Sequence, residues 1–213
     1  MMKIFIVGGS GRVGTDLVKD LVAAGHQVTA GSRHPENIVK MDNVTPVKLD
    51  LHDSPAQLSQ IIGHPDVIYF TAGSNGADLL RTDAMGAVKT MKVAQQNGIH
   101  RYIMLSAMFP LEPEKWAENG LMIYAAYKDA KFFADNYLVN QTDLDYTILS
   151  PTNLTEEAGT GKITIDEGKV GTNPIPDVAM TLAKILDHPN MSKKVMMMRT
   201  GKTPIDDALA AVK

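Results

Sequence analysis

Residues 1–14 read MMKIFIVGGSGRVG. Lys3 to Val7 is a β-branched and aromatic run that predicts a buried strand. Glycines follow at positions 8, 9, 11 and 14. From Val13 to Ala24 the residues Val13, Leu17, Val18, Leu21 and Val22 recur at helical spacing. The order is therefore strand, glycine-rich turn, helix. Such a turn brings a backbone close to a pyrophosphate and aims helix N–H groups at it. Gly8 would permit the tight turn, Gly11 the close approach, and Gly14 the packing of helix on strand. Ser10, Arg12 and Val13 belong to the same cradle. The spacing is GxxGxxG rather than GxGxxG, and an ordinary βα turn with spare glycines is the plain alternative. The context, directly after a strand and before an amphipathic helix, favours the dinucleotide turn.

The chain has 213 residues, enough for one well-buried α/β domain and too few for two large ones. Charged residues make up 21% and the net charge is −3, which argues against nucleic acid or a membrane as the main partner. No apolar run is long enough to span a bilayer. The chain enters a strand after Met1 and Met2, so no signal peptide is expected, and a soluble cytoplasmic protein is. With no cysteine, disulfides, thiolate metal sites and cysteine nucleophiles are excluded. The six histidines show no HxxxH or HExxH spacing, and no metal site is expected.

Downstream, strands and helices alternate. Strands are expected at Gln27 to Ala30, Val44 to Leu49, Asp66 to Thr71, Arg101 to Leu105, Tyr146 to Leu149 and Lys194 to Arg199. Lys162 to Ile165 alternates as a short exposed strand. Helices are expected from Pro55 to Ile62, Leu79 to Gln96, Ile123 to Asn140, Ile175 to Leu186 and Pro204 to Val212. Pro46 places its strand toward an edge. The alternation predicts an α/β fold, a doubly wound parallel sheet in a single domain over 1–213. Small substrate-side elements would lie around 107–122 and 151–175.

The end of the second strand bears on the cofactor. NAD-preferring sites place an Asp or Glu there for the adenosine ribose. Here Gly31-Ser32-Arg33 follows, and no acid appears before Glu36. A hydroxyl at Ser32 and a guanidinium at Arg33 suit a 2′-phosphate, with Arg12 closing on it from the other side. NADP(H) is thus preferred and NAD(H) remains possible. Asp50 and Leu51 would bracket the adenine, although Asp50 suits a turn equally well. Ala72 and Gly73 would let the cofactor backbone pass.

Tyr127 and Lys131 form a YxxxK pair on one face of a helix. A nearby ammonium favours the phenolate, lowering a phenol pKa from about 10. Tyr127 would then exchange a proton with a substrate oxygen while a hydride moves to or from nicotinamide. Lys131 would also hold the nicotinamide ribose, and Ser106, after the fifth strand, would bond the same substrate oxygen. Tyr124 and Lys128 repeat the spacing. A partly exposed surface pair is the bland alternative. Met108, Phe109, Trp116 and Met122 would line a pocket or form a local satellite core, whereas Met196 to Met198 suit a core strand.

Taken together, GGSGRVG at 8–14, LDLHD at 49–53, TAGS at 71–74, Ser106, YKDAK at 127–131, LDYTILSPTNLTEEAGTGKI at 144–163 and TPIDDALA at 203–210 resemble the short-chain dehydrogenase/reductase superfamily. The similarity is to its small atypical, NmrA-like or sugar-epimerase-like members. The resemblance implies a Rossmann fold of about seven strands in the order 3-2-1-4-5-6-7 and an NAD(P) cofactor. It also implies a catalytic trio of Ser106, Tyr127 and Lys131, with Pro151 beside the nicotinamide. The chain departs from the pattern at Ser150, where relatives usually carry Arg. It departs again at Thr152-Asn153, where they have glycine, and at the apolar turn Ala107-Met108-Phe109. The function expected is hydride transfer between NADPH and a small carbonyl, quinone, flavin or sugar-like substrate. The alternatives are a non-catalytic NADP(H) sensor acting through a protein partner and a nucleotide-sugar epimerase or dehydratase. A homodimer is compatible with the long helices.

Overall fold

The computed structural model describes residues 1–166 and 168–213. The chain opens with β1 (Lys3–Val7), α1 (Arg12–Ala23), β2 (Gln27–Ser32), β3 (Val44–Lys48), α2 (Pro55–Ile62) and β4 (Val67–Phe70). A π-helical turn, Leu79–Ala84, leads into α3 (Met85–Gln96) and β5 (Arg101–Leu105). The second half holds α4 (Glu114–Glu118), α5 (Ala125–Gln141), β6 (Asp145–Pro151), β7 (Asn153–Thr155) and β8 (Lys162–Ile165). It ends with β9 (Thr172–Pro174), α6 (Ile175–Lys184), β10 (Lys194–Thr200), β11 (Thr203–Pro204) and α7 (Ile205–Ala210).

Seven strands lie in the order β3-β2-β1-β4-β5-β6-β10, all parallel, which is the expected 3-2-1-4-5-6-7 order. The edge position of β3 suits Pro46, which lacks an amide N–H. Beyond β10 the sheet continues through β8 and β11, both antiparallel, to nine strands. Lys162 to Ile165 is therefore a strand as expected, but not the exposed one its alternation suggested. Ile163 is fully buried, and the strand pairs with β10 through Met198↔Ile165 and Thr200↔Ile163. β7 and β9 form a separate parallel pair.

Alternation along β1 sends Ile4 and Ile6 to one face and Phe5 and Val7 to the other. On the first face they meet Leu17, Leu21, Val178 and Leu182 of α1 and α6. There the Tyr69 hydroxyl donates to the Leu182 carbonyl at 3.1 Å. On the second face Leu58, Met91 and Leu138 of α2, α3 and α5 cover Phe5, Ile68 and Phe70. Each such side chain contributes about 1.5–3 kcal/mol by leaving water. Two expected helices start late. The first six residues of 79–96 form the π-helical turn. Gly120, at φ 68°, opens a 3₁₀ turn over Leu121–Tyr124 before α5 begins. Among the described residues, no helix is long and apolar enough to cross a membrane.

Candidate functional site

The carboxyl ends of β1, β2, β4, β5 and β6 open on one edge of the sheet, where ligands of open α/β sheets bind. Gly8 stands there at φ +95°, and a Cβ on it would lie 2.6 Å from the Ala72 backbone nitrogen. A Cβ on Gly14 would lie 2.2 Å from the Gly8 carbonyl oxygen. The turn is thus packed to the limit of bare backbone. Gly11 is the N-cap of α1, with no side-chain cap and no acid in the first turn. The first N–H groups of α1, Val13 and Gly14 among them, are left for an anion. Ser10 Oγ and Ser32 Oγ lie 2.6 Å apart and tie the turn to the end of β2.

Of the hollows that border this turn, two reach across Ala72 and Gly73. The smaller, about 130 Å³, is bordered by Gly11, Ser32, Arg33, Asp50, Leu51, Ala72 and Gly73. Arg33 is exposed and makes no ion pair among the described residues. Asp50 Oδ1 accepts the His52 N–H at 2.9 Å, so this carboxylate also caps its own turn. Lys89 Nζ donates to the carbonyls of Leu51 and Asp53 and holds that loop against α3. Arg12 borders the larger cavity, and its Nη1 lies 3.1 Å from Glu156 Oε1 in an exposed pair.

The larger cavity, about 790 Å³, runs from the glycine turn across Ala72 and Gly73 to Ser106, Tyr127, Lys131 and Pro151. Tyr127 and Lys131 border it from one face of α5. Lys131 Nζ donates to the Leu105 carbonyl at 3.1 Å and lies 5.9 Å from the Tyr127 ring centre. Of the competing pair, Tyr124 is 56% exposed and Lys128 is buried. Lys128 Nζ donates to the Met108 carbonyl and sits 5.3 Å over the Trp116 ring. Burial pulls its pKa down to about 8, with Asp135 opposing.

Two charged residues here were not among the sequence candidates, Asp83 and Asp135, both fully buried. Asp83, in the π-helical turn, accepts the Ser74 N–H at 3.0 Å and borders the cavity. Asp135 Oδ2 accepts the Ser106 hydroxyl at 2.5 Å. Burial pushes the Asp135 carboxyl up to about 7, while Ser106, Lys131 and Lys128 pull the other way. The signal for Asp135 was its spacing, four residues beyond Lys131 on the same helix face. The apolar segment after Ser106 packs as a satellite core, with Met108, Phe109 and Trp116 buried and Trp116 Nε1 donating to the Phe109 carbonyl. Met108 also borders the cavity, whereas Met122 is exposed and joins neither group.

This site fits a dinucleotide. A Cβ at Gly8 or Gly14 would strike backbone and force the turn open, the helix N-terminus is uncapped, and among the described residues the buried Ser74 hydroxyl and Asp83 Oδ1 have no hydrogen-bond partner. Fold and site together define an NAD(P)-binding Rossmann-like protein. A family model described as NAD(P)H-binding matches residues 8–189, and the chain belongs to that family. It is 32% identical to the Bacillus subtilis protein named "Uncharacterized sugar epimerase YhfK", over 98% of this chain and 99% of that one. It is 41% identical to the oxidoreductase ylbE from Lactococcus lactis. That crystal structure matches with a TM-score of 0.96 over 99% of this chain and 96% of the other. A short-chain dehydrogenase/reductase from Veillonella parvula, solved in complex with NADP, shares the fold. Its TM-score is 0.76 at 20% identity, over 97% of this chain and 99% of that one.

Proposed function

We propose that this protein is an NADP(H)-dependent oxidoreductase of the atypical short-chain type, acting on a small carbonyl, quinone, flavin or sugar-like substrate. One observation carries the proposal: a single cavity has the glycine turn at one end and Ser106, Tyr127 and Lys131 at the other. The oxidoreductase description of the Lactococcus lactis relative supports it. Gly8, Gly11 and Gly14 would seat the pyrophosphate, Ser32 and Arg33 the 2′-phosphate, and Lys131 the nicotinamide ribose. When bound, NADPH supplies a hydride for the substrate carbonyl carbon. Tyr127 delivers a proton to the carbonyl oxygen, Lys131 supports the phenolate left behind, and Ser106 holds that oxygen in place.

Arg33→Ala is expected to weaken NADPH binding by about tenfold or more, the scale of one charge-assisted contact, and to leave NADH binding nearly unchanged. Parallel fluorescence titrations check this, and equal losses for both nucleotides would remove Arg33 from the 2′-phosphate site. The proposal as a whole is tested by NADPH oxidation with a panel of aldehydes, ketones, quinones and flavins. Tyr127→Phe should lower kcat by about 10²–10⁴-fold with NADPH affinity intact. NADPH binding by the parent without turnover of any compound would favour the sensor instead.

A further inference from the structure

Asp135 and Ser106 form a pair whose chemistry the proposed reaction leaves unused. Asp135 is fully buried on α5. Its Oδ2 accepts from the Ser106 hydroxyl, and its Oδ1 has no hydrogen-bond partner among the described residues. Among the described residues neither neighbouring ammonium forms an ion pair with it: Lys131 Nζ donates to the Leu105 carbonyl and Lys128 Nζ to the Met108 carbonyl. The elements packed on α5 add little charge. The buried residues of α3 are all uncharged, and the π-helical turn contributes Asp83, already bonded to the Ser74 N–H. A fully buried carboxylate with one hydroxyl donor is poorly supported, whereas a neutral carboxylic acid tolerates the same surroundings.

The proton count at Ser106 then matters. A serine hydroxyl has one hydrogen. While Asp135 is ionised, that hydrogen is held by Oδ2 and is withdrawn from the cavity Ser106 borders. Once Asp135 is neutral, its own O–H has Ser106 Oγ as acceptor, and the serine hydrogen is free to turn. We infer that Asp135 is a positioning residue that sets the direction of the Ser106 hydroxyl. As the acid it turns that O–H toward a substrate carbonyl. As the carboxylate it takes the O–H back and leaves the Ser106 lone pairs to a substrate alcohol. The two settings differ by one proton, since the neutral pair holds two hydrogens and the ionised pair one, so the change of sense takes up or releases a proton at Asp135. The direction of burial's effect on Asp135 agrees with it, placing the change near neutrality.

The inference rests on the oxidoreductase proposal for the identity of the ligand, but the pair itself can be tested in the protein alone. Aspartate labelled with ¹³C at the carboxyl carbon is titrated by NMR in the parent, in Asp135→Asn and in Ser106→Ala. One carboxyl is expected to titrate near 7, to be missing from Asp135→Asn, and to move upward in Ser106→Ala, which loses the hydroxyl that supports the carboxylate. A midpoint in the ordinary carboxylate range, or one unmoved in Ser106→Ala, overturns the inference. With any carbonyl that is turned over, kcat/KM of the parent should fall between pH 6 and pH 8, and that of Asp135→Asn, whose amide always donates, should stay flat. A parent-like profile in Asp135→Asn likewise overturns it. If nothing in the panel is turned over but the NMR result holds, the oxidoreductase proposal fails and the pair stands.

Discussion

Gly14→Ala is expected to weaken NADPH binding about 100-fold, equivalent to about 2.7 kcal/mol, and to destabilise the fold by about 3 kcal/mol. A methyl group at 14 would lie 2.2 Å from the Gly8 carbonyl oxygen and 3.1 Å from Gly9 Cα. Both are backbone atoms, so no side-chain rotation relieves the clash. The relief left is for α1 to lift from the end of β1. That movement opens the glycine turn where the pyrophosphate would sit. It also separates Leu17 and Leu21 from Val178 and Leu182, the contact between α1 and α6. Denaturant unfolding and nucleotide titration of the same sample read the two effects together. Parent-like values in both would mean that the turn is not the packed cradle described here.

The second large effect is on stability against pH. Burial raises the Asp135 carboxyl from the ordinary 3.8 to about 7. The folded protein therefore keeps a proton there that the unfolded chain releases, and stability falls as pH rises from about 4 to about 7, then levels off. Full expression of that difference would cost about 4 kcal/mol, since each tenfold change in acidity corresponds to about 1.4 kcal/mol. Asn at 135 cannot ionise. The stability of Asp135→Asn relative to the parent should therefore rise by up to about 4 kcal/mol between pH 4 and pH 8, roughly 10 °C in Tm. Asp20, raised to about 6 by burial and by Asp16, pushes in the same direction but is common to both proteins and cancels. Thermal melts of the two proteins across this range check the sign. A constant difference would mean that Asp135 ionises with ordinary ease.

What the sequence revealed and what it hid divide by distance along the chain. The glycine turn and the alternation of strands and helices are local signals: spacing, periodicity and the direct succession of strand, turn and helix, whereas the strand order and the choice of Tyr127 with Lys131 came from the resemblance to a family. The partner of Arg12 is not local. Glu156 is 144 residues away, and only the returning β7–β8 connection brings it there. The alternation KITI at 162–165 showed a strand but held no information on its partner, since period two is the same for an isolated ribbon and for the antiparallel extension beside β10. Asp135 lay within reach, four residues past Lys131. Its burial, and its bond to a serine 29 residues earlier, depend on β5 and α5 packing together.

The central claim is that the cavity at the carboxyl edge of the sheet is an NADP(H) site facing Tyr127, Lys131 and Ser106. The most direct test is titration of the parent protein with NADPH and with NADH, followed by nucleotide fluorescence. Saturable one-to-one binding with a preference for NADPH is the predicted result. Binding of neither nucleotide would contradict the claim, and the roles given to Tyr127, Lys131 and Ser106 would fall with it.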